Sequence, residues 1–162
     1  MEKYLIKPKQ EPKSTLELLE DSFEPATVEK KEMIIGFLGS SSSKEWNQNI
    51  ILEKIIKPLL SEEGRTPDSV LLPSDGSTSL LLEVWAQKSK IPCSVITADW
   101  KKLGRRASCL RDQKIIKEAN CLVFFKGVKS DFYEKAAIRE AKKGRIVYTI
   151  EPDTRELVKW EL

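Results

Sequence analysis

Histidine is absent from the chain. Without an imidazole there is no Ser-His-Asp or Cys-His nucleophilic system and no His-ligated zinc site. Cysteine is scarce: Cys93, Cys109 and Cys121 are an odd number and show no C-x-x-C spacing. That argues against zinc and against a disulfide framework, and fits a reducing compartment. Cys93 and Cys121 open apolar, strand-like runs, where cysteine behaves as a small buried hydrophobe. No apolar run reaches the roughly 18 residues of a spanning helix, so no membrane partner is expected. The start, MEKYLIKPKQEPK, lacks the apolar core of a secretory signal, and a cytoplasmic protein is the expectation. A strong excess of one charge is missing too, since 28 basic against 25 acidic residues leave a net charge of +3. A DNA-coating protein shows a stronger bias, which ranks nucleic acid low among the expected partners without excluding it. Neither a G-x-G-x-x-G fingerprint nor a Walker A motif occurs, so no dinucleotide redox cofactor and no ATP hydrolysis is expected.

What is present suits one folded domain: 162 residues, 40% hydrophobic and 33% charged. Residues 1–31 stand apart. Pro8, Pro12 and Pro25 are scattered among charges, and in STLELLEDSF a Ser14 cap sets Leu16, Leu19 and Phe23 on one side of a short helix. This segment reads as a flexible charged arm. From Met33 the pattern changes to apolar runs alternating with helical spacing. MIIGFLG, SVLLP, CSVIT, CLVFF and RIVYTI read as strands. The first helix sets Trp46, Ile50, Ile51, Ile55 and Leu59 on one side, with Pro58 near its end. The spacing predicts further helices over LLLEVWAQKSK, LRDQKIIKEA and DFYEKAAIREAKKG. Alternation of this kind predicts an α/β fold: a small, doubly wound, mostly parallel five-stranded Rossmann-like sheet with helices on both faces, over 32–151. Residues 152–162 read as a tail folding back through Leu157 and Trp160.

In such a sheet the ligand crevice lies beyond the C-terminal strand ends, and the unusual loops here all follow strands. After the first come Gly39 and Ser40, Ser41, Ser42 and Ser43, a turn glycine and hydroxyls at a helix start, as a phosphate or ribose site requires. After the second comes Ser74-Asp75-Gly76-Ser77-Thr78, where backbone N–H groups and hydroxyls can again face an anion; a plain capped turn explains the same residues. After the third comes ADWKKLGRRASCLRD. Arg111 is its candidate phosphate fork, with Arg105 and Arg106 as helpers, while Lys101 and Lys102 read as solvated. Trp100 either stacks on a base or fills a gap beside the core, and packing is favoured.

Those residues in that order, with ANCLVFFKG and AIREAKKGRIVYTI after them, resemble the SLOG superfamily of Rossmann-like nucleotide-binding domains. The nearest branch is the small YspA-type proteins, marked by A-D-W, several residues, then G-[KR]-x-A-G-P-x-R-N; here Ala98-Asp99-Trp100, Gly104-Arg105, Ala107 and Arg111 match. The resemblance covers residues 33–150. It implies a pocket for a nucleotide or nucleotide-derived ligand such as an ADP-ribose-like molecule. Gly39, Ser40, Asp75, Gly76, Ser77, Arg111, Lys126 and Gly127 would line it. It also implies self-association, for which Leu157, Val158, Trp160 and Leu162 are the candidates.

The departures carry information. The family's glycine-rich second loop is Ser74-Asp75-Gly76-Ser77-Thr78 here, A-G-P is Ala107-Ser108-Cys109, and the asparagine after the arginine is Asp112. In the phosphoribohydrolase motif P-G-G-x-G-T-x-x-E, Pro73 and Thr78 align, but Leu81 stands in place of the glutamate and Glu83 lies two positions on. The expected function is therefore a sensor or sequestering domain without required catalysis and with no catalytic residue assigned. N-glycosidic hydrolysis through Asp75 or Glu83 is the alternative. Single-stranded nucleic-acid binding through the basic stretch ranks third.

Overall fold

The computed structural model describes residues 32–39 and 45–161. The arm over 1–31, with its helix expectation, and Leu162 lie outside the described residues. In chain order the elements are β1 (Ile34–Leu38), α1 (Gln48–Ile51), a π-helical turn (Leu52–Ile56), α2 (Lys57–Glu63), β2 (Ser69–Pro73), α3 (Ser77–Lys88) and β3 (Cys93–Ile96). They continue with α4 (Trp100–Leu103), a 3-10 turn (Gly104–Arg106), α5 (Ala107–Glu118), β4 (Cys121–Phe125), α6 (Phe132–Lys142), β5 (Ile146–Ile150) and β6 (Leu157–Trp160). Pro58 lacks an N–H to close an α-turn. Just before it, the Lys57 N–H reaches back to the Leu52 carbonyl, which is the wide π spacing.

The sheet runs β3-β2-β1-β4-β5-β6. All pairs are parallel except β5 with β6. The expected α/β class and doubly wound character hold, but the sheet has six strands, not five. The sixth comes from the stretch read as a tail. Glu151 and Glu156 close a turn in which the Arg155 backbone is left-handed, φ 60°. The chain then returns antiparallel, with Leu157 opposite Ile150 and Trp160 opposite Val147. Trp160 anchors the strand by donating its Nε1–H to Thr149 Oγ1 at 2.8 Å.

Strand side chains alternate between faces, so each strand feeds two cores. Ile35, Phe37, Val70, Leu72, Val123 and Tyr148 pack with Ile51, Ile55, Leu59, Leu82 and Trp85 on one face. Leu38, Leu71, Leu122, Phe124 and Val147 pack with Ile115, Ala136, Ala137 and Ala141 on the other. Burial of both faces explains why the inner strands read as continuous apolar runs. Gly36 lets α5 sit directly on β1: a Cβ there would meet Ile115 Cγ2 at 2.7 Å and Ala119 Cβ at 2.8 Å. The strand order reverses between β1 and β4, which puts the topological switch at the C-terminal ends of these two strands.

Candidate functional site

The ends of β1, β2 and β4 lie side by side at the switch-point edge. Gly39 ends β1 with φ +74°, and a Cβ on it would lie 2.7 Å from the Phe125 carbonyl oxygen and 2.8 Å from Tyr133 Cδ2. Only glycine combines that backbone with that closeness, so the end of β1 is tied to the end of β4 and the start of α6. Ser40 and Ser41, with the rest of 40–44, lie outside the described residues. Gly76 likewise has positive φ, 93°, and no side chain caps α3 behind it. Ser77 is half-buried, and Thr78 is wholly buried on the inner side of α3 rather than presented to the crevice.

Arg111 lies at the centre of a buried polar chain. Its side chain is 4% exposed. Nη1 donates to Asp75 Oδ1 at 3.1 Å, and Nε donates to Asp112 Oδ1 at 3.2 Å. The Tyr133 hydroxyl donates to Asp112 Oδ2 at 2.8 Å. The chain Asp75–Arg111–Asp112–Tyr133 thus joins the loop after β2, helix α5 and the first turn of α6, and Tyr133 in turn packs against Gly39. Burial dominates at Asp112 and raises its carboxyl above the ordinary value, against the pull of the Tyr133 hydrogen bond and the Arg111 charge. Burial opposes the Arg111 charge, yet the carboxylates of Asp112 and Asp75 outweigh it and raise its pKa. Burial and then the Asp112 charge push the Tyr133 phenol well up, which keeps it a proton donor. Asp75 is the member that faces solvent, its side chain 58% exposed.

Lys126 follows the same pattern after β4. Its Nζ lies 3.0 Å from Glu151 and 3.1 Å from Glu134. Those carboxylates raise its pKa although burial works the other way. Gly127 is exposed beside it. Two cations expected to hold a phosphate are therefore each engaged with two carboxylates. Arg106 is different: it is exposed at the entry to α5 and has no ion pair among the described residues. Trp100 begins α4, which Asp99 caps by accepting from the Lys102 N–H at 3.1 Å. Trp100 is 53% exposed, where packing was the expectation.

The alternative catalytic candidates separate. Glu83 lies close enough to Cys93 to add to the burial that pushes that thiol up to about 11. Cys93 opens β3, at the end of the strand away from the crevice edge, so Glu83 and Asp75 do not share a site. Asp112, Tyr133, Glu134 and Glu151 were not singled out as site residues from the sequence. Asp112 carried a signal in standing where the family motif has asparagine; Tyr133 and the two glutamates carried none that one sequence reveals. Among the described residues, no group of three or more His, Cys, Asp or Glu side chains is placed to hold a metal. Chemically, the arrangement offers a fixed, solvent-facing carboxylate beside a glycine-started helix, suited to accepting hydroxyl hydrogen bonds next to an anion. Comparison with protein-family models, with curated proteins and with solved structures finds no match to the chain in any of the three.

Proposed function

We propose that the chain is a SLOG-type binding domain for a nucleotide-derived ligand of the ADP-ribose-like class, acting as a sensor or sequestering domain without required catalysis. The observation that carries this reading is the Asp75–Arg111–Asp112–Tyr133 chain at the switch-point edge of a mostly parallel sheet. In it Asp75 accepts hydrogen bonds from ribose hydroxyls, and Arg111 orients Asp75 instead of gripping phosphate itself. The phosphates lie against the backbone N–H groups that open α3 after Gly76. Titration calorimetry with ADP-ribose, its cyclic isomers, NAD and AMP tests the reading. Binding of at least one, weakened tenfold or more by Asp75→Ala, is the expected result. No binding by any, or binding indifferent to both Asp75→Ala and Arg111→Ala, removes it.

One observation favours a second reading, N-glycosidic hydrolysis. Asp75 and Asp112 share one guanidinium, Asp75 facing solvent and Asp112 buried with its carboxyl raised, and two carboxyls in such unlike surroundings are the setting of an acid/base pair. Release of ribose 5-phosphate from AMP-like substrates, abolished by Asp75→Asn, is its signature. The sensor reading stands in its place if the ligand is recovered intact.

A further inference from the structure

We infer that the surface running from Trp100 to Lys117 binds a single-stranded polynucleotide, at a place distinct from the Asp75 crevice. Lys101, Lys102, Arg105, Arg106, Lys114 and Lys117 are all exposed, and among the described residues none of them faces a carboxylate in an ion pair. The contrast with α6 and the start of β5 is sharp. There Lys135, Arg139, Lys143 and Arg145 lie 3.3, 3.7, 3.2 and 3.0 Å from a carboxylate. Of the acids in or beside this surface, Asp99 caps α4, Asp112 is buried against Arg111, and exposed Glu118 makes no ion pair with a described residue.

Four of the cations, Lys101, Lys102, Arg105 and Arg106, fall within the six residues that follow Trp100. Arg106 and Lys117 lie at the two ends of the side of α5 opposite its buried Ala107, Arg111 and Ile115, with Leu110 and Gln113 between them. At about 1.5 Å per residue that side is roughly 16 Å long. Trp100, half-exposed, opens the short helix that precedes α5. Clustered cations with no ion pair among the described residues, beside a half-exposed tryptophan, match a polyphosphate backbone with accessible base faces. A duplex hides its base faces in the stack and leaves the indole unused. An acidic peptide satisfies the cations only. A membrane surface needs a broad apolar face, whereas the large exposed apolar residues on this surface are Trp100 and Leu110.

Fluorescence anisotropy with labelled oligo-dT and oligo-U of about 20 nucleotides tests the assignment, the two arms distinguishing DNA from RNA. With four phosphates neutralised, the logarithm of the binding constant falls against the logarithm of salt concentration with a slope of about −3. Trp100→Ala weakens binding about tenfold while Trp100→Phe retains most of it. The fourfold variant K101Q/K102Q/R105Q/R106Q abolishes binding at moderate salt. K135Q/R139Q leaves it unchanged, and urea denaturation confirms that every variant is folded. Asp75→Ala also leaves it unchanged, so loss of nucleotide binding and loss of oligonucleotide binding are separable results. Preference for duplex, equal binding of poly-glutamate, binding to phosphatidylserine vesicles in place of oligonucleotide, or indifference to Trp100→Ala each overturns the inference.

Discussion

Arg111→Met is the most informative single change, because the two partners of Arg111 sit in different surroundings. Asp75 is 58% exposed and can return to water, so its pairing is worth at most about 1 kcal/mol. Asp112 is 8% exposed and cannot. Removing one partner of a buried pair costs roughly 3–5 kcal/mol, because the remaining charge is left uncompensated. Tyr133 still donates to Asp112 at 2.8 Å, which places the expected loss near the lower end, about 3 kcal/mol at pH 7. That is a large share of the roughly 5–15 kcal/mol that keeps a domain folded. The pH dependence has a definite sign. Asp112 is already raised in the folded protein, and removing the guanidinium raises it further. A raised carboxyl contributes stability that is fully present below its unfolded value near 4 and is lost as pH rises through the folded value. The deficit of the variant relative to the parent is therefore largest at neutral pH and shrinks toward about pH 5 and below. Urea denaturation at neutral and mildly acidic pH, with the slope checked for constancy, measures it. R111M/D112N removes both charges and recovers most of the loss, since the side-chain amide introduced by the second change still accepts from Tyr133. A deficit below about 1 kcal/mol, a deficit independent of pH, or no recovery in the double variant would falsify the argument.

Three further outcomes follow from the same geometry. Gly39→Ala meets both a left-handed backbone, about 1–2 kcal/mol, and the Phe125 carbonyl oxygen 2.7 Å from the new Cβ; Gly64→Ala, with φ +73° and nothing within 4 Å, meets only the first. Thermal unfolding should show the Gly39 variant clearly less stable than the Gly64 variant, and equal losses would mean that the loop after β1 yields freely. Burial holds the Cys93 thiol up to about 11 and the Cys121 thiol up to about 12, while Cys109 is exposed. Iodoacetamide at mildly alkaline pH, read by mass spectrometry, should label Cys109 first and Cys121 only on unfolding. Burial works against ionised Glu140, but hydrogen bonds from Arg145 and Lys143 overcome it and lower its pKa. Its stabilisation is present above the unfolded carboxyl value and lost as pH falls through the folded one, so Glu140→Gln should cost about 2 kcal/mol at neutral pH and progressively less in acid.

The fold was legible wherever burial on both faces left a continuous apolar run. IIGFL, SVLLP and CLVFF become the three central strands with nearly every residue buried. β6 was not legible as a strand for the complementary reason. Leu157 to Trp160 lies at an antiparallel edge, none of it is fully buried, Val158 is exposed, and a lysine sits inside it. The turn that brings it back depends on a left-handed arginine, Arg155, a residue type with no sequence signature for that conformation. Among the site residues, Gly39 was legible because glycine declares its backbone freedom. Thr78 was misleading because a Ser-Thr pair after a glycine reads as a cap, whereas here the threonine is wholly buried.

Charge is where one sequence says least, because it records that a cation is present and not which acid is near it. Arg111 and Arg106 look equivalent along the basic stretch, and the expectation treated one as the phosphate fork and the other as its helper. Their surroundings differ: Arg111 is shared by two carboxylates, and Arg106 is exposed with no ion pair among the described residues. Asp75 is 36 positions away in sequence, and only the pairing of β2 beside β1 and the seating of α5 on both bring it to Arg111. A guanidinium already shared by two carboxylates has little attraction left for a phosphate, and the three charges together sum to −1. Lys126 between Glu134 and Glu151 repeats the case. On the proposed reading, an anion at this edge meets backbone N–H groups, or the cations after Trp100 that have no ion pair among the described residues. The buried arginine sets where Asp75 stands. Strong dependence of nucleotide affinity on salt, shared by the parent and Asp75→Ala, points to the Trp100–Lys117 surface; weak dependence, with affinity lost in Asp75→Ala, points to the crevice.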